Sequence, residues 1–90
     1  MGCYLIGYDL NKSGKDYPNL MDAIKALGGT WWHHLDSTWI ISHPGPAKDI
    51  RDHLRPHIDD DDELLVVALK REAAWAGFNE KGSAWLKKNL

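Results

Sequence analysis

Hydrophobic positions recur in two different rhythms along this chain. Cys3 to Asp9, CYLIGYD, alternates with period two and is apolar on both sides: Tyr4, Ile6 and Tyr8 point one way, Cys3, Leu5 and Gly7 the other. Such a strand belongs inside a sheet covered on both faces. Pro18 to Leu27 changes to helical spacing, with Leu20, Ile24 and Leu27 on one stripe, Ala23 at its edge, Pro18 at a first helical position and Gly28-Gly29 as the stop. Thr30 to His43, TWWHHLDSTWIISH, is rich in aromatic and β-branched residues and reads as two strands with a tight connection at Asp36-Ser37. Strict alternation sets Trp31, His33 and Leu35 against Thr30, Trp32 and His34.

Pro44-Gly45-Pro46 interrupts the chain, and Ala47, Ile50 and Leu54 resume helical spacing up to Pro56. Asp59 to Glu63 is an unbroken acidic run, read as a solvated turn because it lacks the punctuation of an EF-hand loop. Leu64 to Leu69, LLVVAL, is a second strand apolar on both faces. Lys70 to Phe78 fits a short strand or a loop anchored by Trp75 and Phe78, and Glu80 to Leu90 fits a helix with Trp85 and Leu86 inward. The order β-α-β-β-α-β with a tail predicts one α+β domain over residues 1–90, a ferredoxin-like antiparallel sheet with two helices on one face and a C-terminal strand or helix tail. Two helices on one face leave the other face of two apolar strands bare. The tail or a second copy of the chain must cover it, and a symmetric homodimer is the economical expectation.

Composition narrows the partners. Formal net charge is −2, so there is no global basic surplus with which to grip phosphates. Any basic patch has to be local or assembled by bringing two chains together, and Lys12 and Lys15 in the loop after the first strand are the candidates. That loop fails the P-loop pattern, since Asp16 follows Lys15 where Ser or Thr is required. Cys3 is the single cysteine, which excludes an internal disulfide and fits a reducing cytoplasm. No secretory leader pattern and no apolar run of membrane-spanning length is present, so a cytoplasmic protein without membrane contact is expected.

Asp9 closes the first strand, where it either starts a polar turn or forms part of an active centre. The histidines admit two readings as well. One of His33 and His34, not both, can share a face with Asp9 and act as a general acid or base, with Asp36 to orient it; alternatively both pack beside Trp31, Trp32 and Trp39. His53 and His57 have helical zinc-ligand spacing, but Pro56 lies between them and no third ligand is evident.

The Tyr8-Asp9 ending of the first strand and the Ser37-Thr38-Trp39 opening of the third resemble the second of the universal CRISPR-associated proteins, whose family contains small dimeric metal-dependent nucleases and nucleic-acid scaffolds. The VapD-type toxin ribonucleases are similar, and over nearly the whole chain the sequence resembles small bacterial proteins of this superfamily labelled SinR-like. The resemblance implies that Asp9 is a catalytic metal ligand, that two Asp9 carboxylates hold one Mg2+ near a dimer axis, and that Ser37 and Trp39 shape the edge of the site against RNA or DNA. His33 and His34 stand in the second strand, where the family often has a basic residue. A non-catalytic dimeric scaffold or regulator, binding nucleic acid or a protein, and a toxin-like ribonuclease are the alternatives.

Overall fold

The computed structural model describes residues 2–10, 18–70 and 72–90. Its elements are β1 (Gly2–Asp9), α1 (Pro18–Lys25), β2 (Trp31–Leu35), β3 (Thr38–His43), α2 (Ala47–Leu54), a 3-10 turn (Arg55–His57), β4 (Glu63–Ala68) and α3 (Glu80–Asn89). The four strands form one sheet in the order β2-β3-β1-β4, and every neighbouring pair is antiparallel. This is a small α+β fold with a four-stranded antiparallel sheet and three helices.

The alternation of β1 divides the core as its sequence requires. Ile6 joins Trp39 and Ile41 beneath α1 and α2, which contribute Leu20, Ala23, Ile24, Ile50 and Leu54. Tyr4, Tyr8, Leu64 and Val66 border this core. Cys3 lies on the opposite face with Trp32, Ile40 and Leu86 of α3, flanked by Leu69, Trp75, Phe78 and Trp85. The C-terminal segment therefore covers part of the second face. No final strand forms among residues 72–79; Trp75 and Phe78 anchor an irregular stretch instead, and Trp75 Nε1 donates to Ser83 Oγ at 3.2 Å. Asn79 caps α3 by accepting from Gly82 N at 2.8 Å, which satisfies one of the helix's open N–H groups.

Two local features depart from strict alternation. Trp32 pairs with Ile40 and Leu35 with Thr38, so β2 spends one extra residue in a bulge at His33-His34 opposite Trp39. The bulge turns Leu35 to the face of Trp32 rather than that of Trp31, a change that alternation alone cannot show. The second is a close approach. Gly29, at φ +70°, lets the chain pass the Ser42 carbonyl where a Cβ would collide with the oxygen.

The second face is covered over only part of its width. Leu35, Leu65 and Val67 are 46, 59 and 39% exposed and all lie on it. A groove of about 350 Å3 lies between the 73–76 segment and the sheet, where Leu5, Leu35 and Thr38 help line it. β4, apolar on both faces by sequence, is thus an edge strand rather than an interior one. Among the described residues, no helix is long and apolar enough to cross a membrane.

Candidate functional site

The end of β1 gathers most of the polar chemistry. Leu69 N donates to Cys3 O at 2.9 Å, so the odd-numbered residues of β1 turn their backbone groups toward β4. In this register Asp9 stands directly opposite Glu63, followed by Gly7 opposite Leu65 and Leu5 opposite Val67. Asp9 and Glu63 therefore share the second face, with Cα atoms spaced roughly 5.5 Å as in any hydrogen-bonded antiparallel pair. Both are exposed, and the hollow around them, about 300 Å3, is lined by Gly7, Tyr8, Leu64 and Leu65 as well. Gly7 contributes no side chain there, which leaves the carboxylates accessible. Like charges directly opposite in a sheet oppose pairing, and a cation between them removes the penalty.

Ser37 lies at the same end. Tyr8 N donates to Ser37 O at 3.1 Å, which sets the β2–β3 turn beside the last residues of β1. His33 does not join Asp9. Its ring stacks on Trp39, centre to centre 3.9 Å and 12° from parallel, on the side of the sheet that carries α1 and α2. Its Nε2 lies 3.2 Å from Asp36 O. His34 shares the face of Asp9 but sits on β2, at the far edge of the sheet, against Trp32 and Phe78. Trp39 is only 1% exposed and donates from Nε1 to Tyr8 Oη at 3.1 Å, so it offers a nucleobase no open ring face. Asp9, Ser37 and Glu63 are brought to one end of the sheet, while Trp39 belongs to the core behind it and the half-buried His33 stacks on it. Lys12 and Lys15 lie outside the described residues.

A second acidic group forms where the sequence suggested only a solvated turn. One carboxylate oxygen each from Asp59, Asp61 and Asp62 falls within 4.8 Å of the others, a spacing at which the three could hold a metal ion. The turn creates this proximity: Asp62 N donates to Asp59 O at 3.1 Å and Asp59 N to Asp62 Oδ2 at 2.8 Å. The adjoining hollow, about 260 Å3, is lined by Arg51 and Arg55 as well as by Asp59, Asp60 and Asp62. No EF-hand spacing announces the group, since consecutive residues converge only once the turn is made. His53 and His57 stand 6.4 Å apart, ring centre to centre, and no third metal ligand joins them among the described residues.

Two cations of α2 are engaged with a carboxylate of the same helix. Lys48 Nζ and Arg51 Nη2 approach Asp52 at 2.8 and 2.9 Å, and the hydrogen bond from Lys48, then that from Arg51, holds the Asp52 carboxyl below its ordinary value. Lys48 and Arg51 also line an open hollow beside Leu64, Leu65 and Val66. No family model matches the chain, and no solved structure gives a significant match.

Proposed function

We propose that the chain is a ferredoxin-like homodimer that hydrolyses a nucleic-acid phosphodiester, with Asp9 and Glu63 as ligands of Mg2+. The strand order β2-β3-β1-β4, with α1 and α2 against one face, supports the split βαβ reading. The observation that carries the site is the pairing of Asp9 with Glu63 on an open surface. Two carboxylates supply the hard oxygen donors that Mg2+ takes, with water completing the shell. When bound there, the cation orients or activates a water against the phosphodiester.

The chain's own residues divide the remaining work. Ser37, at the same end of the sheet, offers a hydroxyl to a phosphate oxygen. Lys12 and Lys15 follow Asp9 closely in sequence and neutralise phosphate charge. His33, stacked on Trp39, takes no part in proton transfer in this reading. The resemblance implies one Asp9 from each subunit. The β1–β4 register instead offers a second carboxylate within one chain, so the site does not require a shared axis.

The test is incubation of the purified protein with labelled RNA and DNA, with and without Mg2+, beside Asp9→Asn and Glu63→Gln. Mg2+-dependent cleavage that both substitutions abolish, in variants that stay folded, is expected. Failure of the wild-type protein to cut either polymer sinks the proposal. A non-catalytic scaffold is favoured by the placement of His33 against Trp39 and His34 against Trp32, which leaves no histidine beside Asp9 among the described residues. It predicts salt-sensitive binding without cleavage.

A further inference from the structure

We infer that β4 is the dimer interface: two copies pair β4 with β4, antiparallel and centred on Val66, to make one continuous eight-stranded sheet. This inference rests on the homodimer in the reading above and is independent of its chemistry.

Tyr8 N donates to Ser37 O, so the even-numbered residues of β1 face β3, and Leu69 N donates to Cys3 O, so the odd-numbered residues of β1 and β4 face each other. It follows that the N–H and C=O groups of Leu64, Val66 and Ala68 point away from β1. Among the described residues no strand lies beyond them. Natural edges are normally blunted by a lysine, a proline or a bulge. Leu64 to Ala68, LLVVA, holds none of these itself; Lys48 and Arg51 of α2, both bonded to Asp52, line the hollow beside it, and Leu65 and Val67 expose 59 and 39% of their surface. An apolar, bulge-free edge of this kind is a template for another strand.

The sequence selects a second copy as that strand. In an antiparallel register centred on Val66, Leu65 falls opposite the partner's Val67, and Leu64 opposite the partner's Ala68. Just beyond the strand at each end, Asp62, whose Oδ2 also accepts from Asp59 N, falls opposite the partner's Lys70. The outward-facing residues Leu64, Val66 and Ala68 then form the hydrogen-bonded pairs, each exchanging both bonds. Leu65 and the partner's Val67 form the closer non-hydrogen-bonded pairs, on the face where both are now bare. Registers centred on Leu65 or Val67 satisfy the same backbone geometry but take Asp62 away from Lys70. The two-fold pairing consumes both free β4 edges and therefore closes at a dimer.

Disulfide trapping tests the register. Leu65→Cys and Val67→Cys are prepared separately, mixed and treated with a mild oxidant. Opposite Cα atoms in a non-hydrogen-bonded pair lie about 4.5 Å apart, within disulfide reach. Diagonal neighbours of the same residue type lie roughly 7–8 Å apart, outside it. The mixture is expected to give a covalent heterodimer, and each variant alone little or none, with wild type as the control for Cys3. Leu65→Lys, at an exposed position, is expected to shift the light-scattering mass from dimer to monomer while circular dichroism stays native. A wild-type monomer overturns the inference together with the homodimer. A wild-type dimer that does not cross-link in the mixture, or that cross-links through Leu65→Cys alone, overturns this register while leaving the nuclease assay to be judged separately.

Discussion

Replacing Leu86 by alanine measures how firmly the C-terminal helix holds the second face. Leu86 is 2% exposed and packs with Cys3, Trp32 and Ile40, so truncation removes a fully buried side chain from the smaller of the two cores. Such substitutions cost about 2–5 kcal/mol, and a covering helix that can settle toward the gap belongs in the lower half, at about 3 kcal/mol. A 90-residue domain has a total stability of roughly 5–13 kcal/mol, so this is a large share. At about 4–8 °C per kcal/mol for a domain of this size, the midpoint of thermal unfolding falls by roughly 12–24 °C. Circular dichroism reads the helix and sheet, and tryptophan fluorescence follows Trp32 and Trp75 in the same transition. Leu35→Ala, on the same face but 46% exposed, serves as the comparison and should move the midpoint by no more than roughly 2–4 °C. Equal small shifts from both substitutions would refute the docking of α3, and with it the account of how half the second face is covered.

Three further outcomes are expected. Gly82→Ala should change stability by less than about 1 kcal/mol in chemical denaturation, because the gain in helix propensity is set against a Cβ that would lie 3.1 Å from the exposed His34 ring and push it aside. In metal-free buffer Glu63→Gln should raise stability by a few tenths of a kcal/mol, roughly the penalty of like charges facing each other across two exposed strand positions, and added Mg2+ should reverse the order of the two proteins. The Asp52 carboxyl, followed by NMR, should titrate below its ordinary value of 3.8 and move back toward it in Lys48→Ala; since folding lowers this pKa, the associated stability is present above the ordinary value and lost as pH falls through the lowered one.

The elements that carried a strong period were legible in the sequence. The two faces of β1 were read from its alternation, and Ala47–Leu54 from helical spacing with Pro56 as the limit; the proline sits in the 3-10 turn that follows. Glu80–Asn89 and the turn at Asp36-Ser37 match the expectation closely. What could not be read depends on contacts between distant segments. The bulge at His33-His34 is set by pairing with β3, so the side of Leu35 was assigned to the wrong face. The edge position of β4 is a property of sheet order, and its apolar run suggested an interior strand. At the site, Asp9 was visible as a carboxylate closing a strand, but Glu63 was hidden inside an acidic run and became its neighbour only through the β1–β4 register. The same run concealed the convergence of Asp59, Asp61 and Asp62, which one tight turn produces.

Paramagnetic broadening by Mn2+ tests whether Asp9 and Glu63 hold a divalent cation, as proposed. Mn2+ takes the same oxygen donors as Mg2+ and broadens amide signals near its site. Titrated into labelled protein at sub-stoichiometric amounts, it should first broaden Gly7 to Asp9 and Glu63 to Leu65, with excess Mg2+ restoring the signals and Asp9→Asn abolishing the effect. Broadening centred on Asp59 to Asp62 that persists in Asp9→Asn would contradict the claim and assign the cation to the acidic turn.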